Sequence, residues 1–322
     1  MISSSQFKPA WWLPGAHAQT LWPSLVRRPV EIELRSERLI LPDNDFIDLA
    51  WTKQNSDHIV IVLHGLEGSI DSSYTRGILA AIDKQGWRGV LMQFRGCSGA
   101  HNLKDRSYHS GETGDLRFLV KTLRERHPNS TLCAVGYSLG GNALLKYLGE
   151  YKNDALFNAV SAVSVPYLLS NSAAKLNRGF SRIYQRHLVN RLINKTQSKF
   201  KDRQAPFIIA DIQKWNTFRL FDHHITAPIH GFKSSDDYYE QSSSRQYLKH
   251  ITVPTLLIHS RDDPFMMADA IPNQDDLSDS VTLELSNYGG HVGFISGNTP
   301  WNAEYWLEER IPAFLDTYLG KV

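Results

Sequence analysis

The chain has 322 residues, of which 42% are hydrophobic and 21% are charged, as is typical of a globular protein. Its formal net charge of +2 offers no general basis for binding nucleic acid, and a chain of this length needs neither disulfides nor metals to be stable. The N-terminus lacks the basic and apolar regions of a signal peptide, and no apolar run approaches the ~18 residues of a membrane span. We therefore expect a cytoplasmic protein without a nucleic-acid partner.

Two short segments with alternating apolar and polar residues come first in the chain. Residues 31–41 and 46–51 flank a turn-like PDND sequence and predict a pair of adjacent antiparallel strands. The pattern changes at residues 58–63, a run rich in β-branched residues that is typical of a strand covered on both faces. Further buried strands are predicted at residues 87–94, 132–137, 159–165, 255–259 and 281–285.

Segments with helical spacing lie between and after these strands, at residues 74–85, 115–126, 142–151 and 301–319. This alternation predicts an α/β fold with a mostly parallel, doubly wound sheet of about eight strands. It breaks between residues 166 and 250, where apolar residues at helical spacing predict a helical cap inserted between two strands. We predict one domain over residues 1–322, with this cap at 166–250 and an N-terminal arm at 1–30.

The strongest local motif is GYSLG, at residues 136–140, which fits the pattern G-x-S-x-G. It follows a predicted buried strand and opens a predicted helix, which is the context that a nucleophile elbow requires. The glycines leave room for the sharp turn that exposes the hydroxyl of Ser138 near a helix N-terminus. We therefore predict that Ser138 is a nucleophile.

A serine hydroxyl needs a base that takes its proton, and that base is in turn oriented by a carboxylate. In this kind of fold the expected chain order is serine, acid, histidine. His291 lies in a glycine-rich loop after the last predicted strand, and two aspartates follow the strand before it. We favour Asp263, which directly precedes a proline, as the acid, and Asp262 stays open as the alternative.

Two backbone amides are candidates for an oxyanion hole, which needs donors held in place before the reaction. The residue after the nucleophile, Leu139, supplies one of them in this fold. The HGLEG turn at residues 64–68 follows the first buried strand, and its Leu66 amide is the candidate for the second. The same glycines also suit a plain strand-to-helix turn, and the two interpretations are compatible.

No metal or cofactor site is predicted. His223 and His224 are adjacent, so their side chains point in different directions, and no carboxylate lies at ligand spacing from them. His101, His109 and His187 are interpreted as polar surface or capping residues.

Residues 175–203 form a basic segment with nine Lys and Arg residues and a single acid, Asp202. On an amphipathic cap helix this charge would attract an anionic membrane surface, but a solvated helix face is the simpler interpretation. The tryptophans of the arm, Trp11, Trp12 and Trp22, would either touch lipid or pack the arm onto the domain.

Eight motifs spread over almost the whole chain resemble the YheT-type branch of the α/β-hydrolase superfamily, which includes esterases, phospholipases and acyl-ethanol transferases. They are LPGAHAQT (13–20), HGLEGS (64–69), FRGCSG (94–99), SYHSGET (107–113), GYSLGGN (136–142), FDHHITAP (221–228), DDP (262–264) and GGHVGF (289–294). The resemblance implies a charge-relay system of Ser138, Asp263 and His291 with esterase-like activity. It does not fix the substrate, because such relatives act on short esters, on phospholipids or on acyl groups passed to alcohols.

These observations predict a carboxylic-ester hydrolase that works through an acyl-enzyme on a small-molecule or lipid ester. An acyltransferase that passes the acyl group to an alcohol would use the same residues and is the alternative. A binding module without catalysis is disfavoured, because such proteins usually lose a member of the triad.

Overall fold

The computed structural model describes residues 1–319, and its centre is a sheet of nine strands in the order β1-β9-β8-β7-β6-β4-β5-β3-β2. In chain order these strands are β1 (Ile2–Ser4), β2 (Leu34–Ile40), β3 (Phe46–Thr52), β4 (His58–Leu63), β5 (Arg88–Gln93), β6 (Thr131–Tyr137), β7 (Ala159–Val163), β8 (Thr255–Ser260) and β9 (Val281–Ser286). Across the sheet, the first seven strands, from β1 through β9 to β5, are all parallel to their neighbours. Strand β3 pairs antiparallel with both β5 and β2.

The β-branched runs form the buried centre of this sheet because helices cover both of its faces. In β4, Ile59 and Ile61 point to one face, while Val60 and Val62 point to the other. Helices α3 (Gly114–Arg126) and α4 (Leu139–Tyr151) cover the first face, and α2 (Ser73–Lys84) and α10 (Leu307–Leu319) cover the second. The predicted α/β class and mostly parallel sheet are confirmed.

A helical insertion separates β7 from β8. It contains α5 (Leu169–Leu176), α6 (Ser181–Lys199), α7 (Phe218–Phe221), α8 (Ala227–Ile229) and α9 (Ser235–Ser242), with a π-helical turn at Asp222–Thr226 between α7 and α8. Helices α5 to α7 share an apolar cluster, against which Leu66 and Phe265 of the sheet side also pack. The insertion therefore lies at the edge of the sheet where the parallel strands end.

The N-terminal residues are attached to the domain by strand pairing and by side-chain contacts. Strand β1 extends the sheet beside β9, and α1 (Ala16–Leu25) follows it. Trp12 donates a hydrogen bond to the Gly297 carbonyl (3.0 Å) and packs edge-to-face on Trp22, whereas Trp11 is 77% exposed. Most of the arm therefore packs on the domain, and even the exposed Trp11 donates its indole N–H to the Asn298 carbonyl (3.0 Å).

The structure differs from the sequence prediction in its number of strands and in the bounds of several elements. The sheet has nine strands because β1 was not predicted. Helix α4 begins at Leu139 rather than at residue 142, because the two glycines after the serine continue the helix. Helix α10 begins at Leu307 rather than at residue 301, because β10 (Ile295–Ser296) and β11 (Glu304–Tyr305) form a small antiparallel pair before it. No helix in the described part of the chain has both the length and the apolar character to cross a membrane.

Candidate active site

The turn between β6 and α4 holds Ser138 in a strained backbone conformation, with φ 50° and ψ −116°. Glycines make this turn possible, since it brings backbone segments into direct contact. A Cβ at Gly140 would lie 2.4 Å from the His64 carbonyl oxygen, and one at Gly136 would lie 2.7 Å from the Cα of Gly141. The predicted strand–turn–helix context of Ser138 is therefore present, and its side chain is half-buried rather than sealed in the core.

Two further side chains form a hydrogen-bonded row with Ser138. Its Oγ lies 2.9 Å from Nε2 of His291, and Nδ1 of His291 lies 2.8 Å from Oδ2 of Asp263. Because a carboxylate only accepts, Nδ1 carries the proton and Nε2 is left to accept one from the serine. The three residues follow β6, β8 and β9, whose carboxyl ends lie at one edge of the sheet.

Asp263 and Asp262 have different partners. Asp263 is buried, and its Oδ1 accepts a hydrogen bond from the Phe265 amide (2.8 Å). Asp262 accepts one from the Gly290 amide (2.9 Å), and its burial raises its pKa. Asp262 thus fixes the loop that carries His291, while Asp263 contacts the imidazole itself.

The imidazole of His291 is also held by groups that the sequence did not reveal. The ring of Phe265 stacks on it with a centroid distance of 3.9 Å and an interplanar angle of 7°. The backbone amide of His291 donates to Oγ1 of Thr20, in α1 (2.9 Å). These contacts come from distant parts of the chain and have no signature in the sequence around residue 291.

The amides of Leu66 and Leu139 lie beside the serine, at the start of two adjacent turns. Within residues 1–319, neither amide donates to a protein acceptor. A Cβ at Gly65 would lie 3.3 Å from the Cβ of Ser138, so the backbone of that turn approaches the nucleophile closely. The assignment of these two amides to an oxyanion hole stays a prediction.

His64 is fully buried at the base of this turn. The Phe94 amide donates to its Nε2 (3.2 Å), so Nδ1 carries the proton and donates to the Gly65 carbonyl (2.7 Å). Burial lowers the pKa of His64 to about 4, and the ring stays neutral at physiological pH. Tyr74 accepts a hydrogen bond from the Gly65 amide (2.8 Å), which fixes the turn from its other side.

A cleft of about 1150 Å³, including its open mouth, extends from Ser138 and His291 under the helical insertion. Most of its wall is apolar, including Leu66, Leu176, Leu188, Leu192, Ile225 and Ile229. Its polar residues include Asp222, whose carboxylate accepts from Thr226 (2.6 Å) and Tyr239 (2.8 Å) and whose burial raises its pKa to about 6.

The remaining histidines do not form a metal centre in the described residues, which include no group of three metal-ligating side chains. His224 stacks on Trp215 with a centroid distance of 4.8 Å. The sequence analysis interprets His109 as a polar surface or capping residue. Its Nδ1 does accept a hydrogen bond from the nearby Gly111 amide (3.2 Å), but the side chain is not on the surface. It lines the cleft and packs on His230, and its burial lowers its pKa well below the ordinary value.

This sheet, the serine turn and the facing histidine define the class of the protein. The family model described as alpha/beta hydrolase fold matches residues 58–298, and the chain belongs to this family. Among curated proteins, it is 43% identical to "Putative esterase YheT" of Escherichia coli (strain K12), over 98% of this chain and 95% of that one. It is 32% identical to a monoacylglycerol lipase of Saccharomyces cerevisiae, over 84% of this chain and 62% of that one. It is 28% identical to phospholipase ABHD3 of Bos taurus, over 94% of this chain and 77% of that one.

A solved structure shows the same fold. The Pyrococcus furiosus esterase Pf2001 superposes with a TM-score of 0.61 at 19% identity, over 90% of this chain and 92% of that one. Together, these comparisons confirm the predicted fold, the predicted family and the assignment to the hydrolases.

Proposed function

We propose that this protein is a serine hydrolase that cleaves carboxylic esters through an acyl-enzyme on Ser138, with His291 as base and Asp263 as the acid that orients it. The observation that carries the proposal is the unbroken row of hydrogen bonds from Asp263 through His291 to Ser138, at 2.8 Å and 2.9 Å. A structural role alone would not require this row to end at a half-buried hydroxyl beside an apolar cleft.

The proposed reaction has two halves. His291 takes the proton of Ser138 as the serine oxygen bonds to the ester carbonyl carbon, and the amides of Leu66 and Leu139 bind the oxygen that becomes negative. The C–O bond to the alcohol then breaks, and His291 returns its proton to the leaving oxygen. Water, deprotonated by His291, attacks the acyl-enzyme and releases the carboxylic acid, which restores Ser138.

The substrate class follows from the cleft wall. The leucines and isoleucines that line it favour an acyl or alkyl chain over a charged group, because burying apolar surface stabilises binding while burying an unpaired charge opposes it. The relatives named esterase, monoacylglycerol lipase and phospholipase are consistent with a small-molecule or lipid ester.

Hydrolysis of p-nitrophenyl esters of increasing acyl length tests the proposal. We expect saturable hydrolysis that Ser138→Ala abolishes while the circular dichroism spectrum is unchanged, with kcat/KM rising from acetyl to longer chains. Equal rates for the wild type and for Ser138→Ala would contradict the proposal.

The same assay at graded ethanol concentrations separates the hydrolase from the acyltransferase alternative. The measured quantity is the amount of ethyl ester formed relative to the free acid released.

We further propose that a surface of the insertion contacts anionic lipid. Four cations at the junction of α5 and α6 form no ion pair within the described residues: Lys175, Arg178, Arg182 and Arg186. Phe180 and Ile183 project among them and are 49% and 57% exposed. Positive charge around exposed apolar side chains suits the interface of an anionic bilayer.

This surface also lies next to the catalytic residues. Phe180 packs on Tyr184 at a centroid distance of 6.0 Å, Tyr184 on Phe265 at 5.0 Å, and Phe265 on His291 at 3.9 Å. We expect sedimentation with phosphatidylglycerol vesicles, but not with phosphatidylcholine vesicles, and a loss of binding in Arg182→Gln/Arg186→Gln. The control Lys84→Gln/Lys121→Gln has the same change in charge on α2 and α3 and should bind as the wild type does. Equal binding by both double variants would overturn the proposed surface.

A further inference from the structure

The turn that carries the Leu66 amide is fixed on both sides of that residue by tyrosine hydroxyls. Tyr74 accepts from the Gly65 amide, and Tyr108 accepts from the Glu67 amide, each at 2.8 Å. Tyr108 also donates its proton to Oε1 of Glu67 (2.8 Å). The Leu66 amide therefore lies between two anchored peptide groups, and its direction depends on where Glu67 is held.

Glu67 is an unusual residue for this position. Its φ of 54° is in the left-handed region, which a non-glycine side chain occupies only when its surroundings hold it there. Its carboxylate is buried, with 6% of the side chain exposed, so it requires a charged or hydrogen-bonding partner. A glycine would adopt this φ without strain and would bring no charge into the turn.

Helix α6 of the insertion supplies these partners from 124 and 128 residues along the chain. Arg191 donates to the Glu67 carbonyl oxygen at 2.6 Å, and the Lys195 ammonium lies 2.9 Å from Oε1 of Glu67. The two cations are four residues apart, so they share one face of the helix. The ammonium also lies 3.0 Å from Sγ of Cys97, in the wall behind the turn.

The same helix forms part of the cleft wall. Leu188 and Leu192, each three residues before one of the two cations, line the cleft together with Lys195. A chain bound against these leucines would therefore press on the helix that holds Glu67. Arg191 and Lys195 therefore connect the seating of α6 to the turn that carries the Leu66 amide, in addition to the apolar packing of the Leu66 side chain.

We propose that Arg191 and Lys195 are positioning residues. Through Glu67 they fix the turn at residues 65–68, which carries the Leu66 amide. They thereby couple the closing of α6 over a substrate to completion of the oxyanion hole. The inference rests on the proposed function, because it assigns the Leu66 amide to the developing oxyanion. Neither cation touches the reacting atoms. Their effect is transmitted by the backbone of residues 65–68.

The test is the steady-state hydrolysis of p-nitrophenyl butyrate by Lys195→Met and by Arg191→Met. Loss of a whole oxyanion donor costs about 10²–10³ in kcat, so a displaced donor should cost about 10-fold to 100-fold in Lys195→Met, and less in Arg191→Met, with KM changed little. Asn194→Met introduces the same residue at an exposed position of the same helix and should keep the wild-type kcat.

A double variant separates positioning from simple anchoring of the insertion. If Lys195 acts through Glu67, Glu67→Gln/Lys195→Met should lose no more kcat than Lys195→Met does, whereas independent roles would multiply the two losses. An unchanged kcat with a raised KM in Lys195→Met and Arg191→Met would overturn the inference. Arg191 has an exposed side chain, so Arg191→Met gives an answer even where Lys195→Met fails to fold.

The failure of this inference is distinct from failure of the proposed function. Activity that is equal in the wild type and Ser138→Ala would remove the proposed function itself. Activity that depends on Ser138 but is indifferent to both cations would remove only the positioning role.

Discussion

Replacing Asp263 with asparagine changes one atom and reverses the hydrogen-bonding pattern of the proposed triad. In the wild type, the two carboxylate oxygens accept from the Phe265 amide and from Nδ1 of His291, each at 2.8 Å. Asparagine has only one oxygen. The Phe265 amide can only donate, so it retains that oxygen, and the amide nitrogen of residue 263 then faces His291.

The consequence for the imidazole follows from its two nitrogens. Nδ1 must now accept a hydrogen bond, so the proton moves to Nε2, which points at Ser138 and can no longer take the serine proton. Such a change of tautomer lowers kcat by about 10⁴. At 1.36 kcal/mol for each factor of ten, this is roughly 5 kcal/mol of transition-state stabilisation.

The assay is the kcat of p-nitrophenyl butyrate hydrolysis, with thermal unfolding as the measure of an intact fold. Asp262→Asn is the matched control, because the asparagine oxygen can still accept from the Gly290 amide. We expect this control to keep kcat within about tenfold of the wild type. The reasoning is refuted if Asp262→Asn loses as much activity as Asp263→Asn, or if folded Asp263→Asn keeps more than about a tenth of the wild-type kcat.

Three further predictions concern stability and packing. Because burial raises the pKa of Asp222 to about 6, its protonation stabilises the fold at low pH, and this stabilisation is lost as the pH rises through 6. Asp222→Asn should therefore unfold at a higher temperature than the wild type at pH 8 and at nearly the same temperature at pH 4. Gly140→Ala places a Cβ 2.4 Å from a backbone oxygen and should lower kcat about 10²-fold, whereas Gly114→Ala, with its nearest contact at 3.1 Å, should not. Arg95→Met leaves three carboxylates without their buried cation and should cost about 3–5 kcal/mol in urea unfolding, against under about 1 kcal/mol for the more exposed Arg38→Met.

Each of these predictions has a clear contrary result. If the difference in unfolding temperature between the wild type and Asp222→Asn is the same at pH 4 and at pH 8, the raised pKa of the buried Asp222 carboxyl is contradicted. Equal kcat values for Gly140→Ala and Gly114→Ala would mean that the serine turn tolerates a side chain. Equal urea midpoints for Arg95→Met and Arg38→Met would mean that the ion pairs of the buried Arg95 do not stabilise the fold.

The sheet could be predicted because its strands carry the signal locally. The run 58–63 is buried on both faces and reads as one apolar segment, and β4 occupies those residues. Strand β1 could not be predicted, because it has only three residues, two of them exposed, and forms only by pairing with β9. The predicted start of α10 is too early, because residues 304–305 pair with β10 instead of continuing the helical spacing of residues 301–306. Strand β11 begins nine residues after β10 does, so this pairing has no local signal.

The proposed site residues differ in how much of their role the sequence around them indicates. Ser138 and His291 lie in glycine-rich turns whose sequence alone reveals their special backbone. The neighbouring Asp262 and Asp263 have the same side chain, so the sequence favours Asp263 only through the proline after it, whereas the contacts of the two carboxylates differ plainly. The link from Glu67 to Lys195 spans 128 residues and depends on how the insertion packs, which no local pattern records.

The most direct test of the proposed function is labelling with a fluorophosphonate, which forms a covalent bond only with an activated serine. Mass spectrometry of the labelled protein should find one adduct, on the peptide that contains Ser138, and no adduct in Ser138→Ala or in His291→Ala. A folded protein that takes up no label, or one whose label lies on another residue, would contradict the claim that Asp263 and His291 activate this hydroxyl.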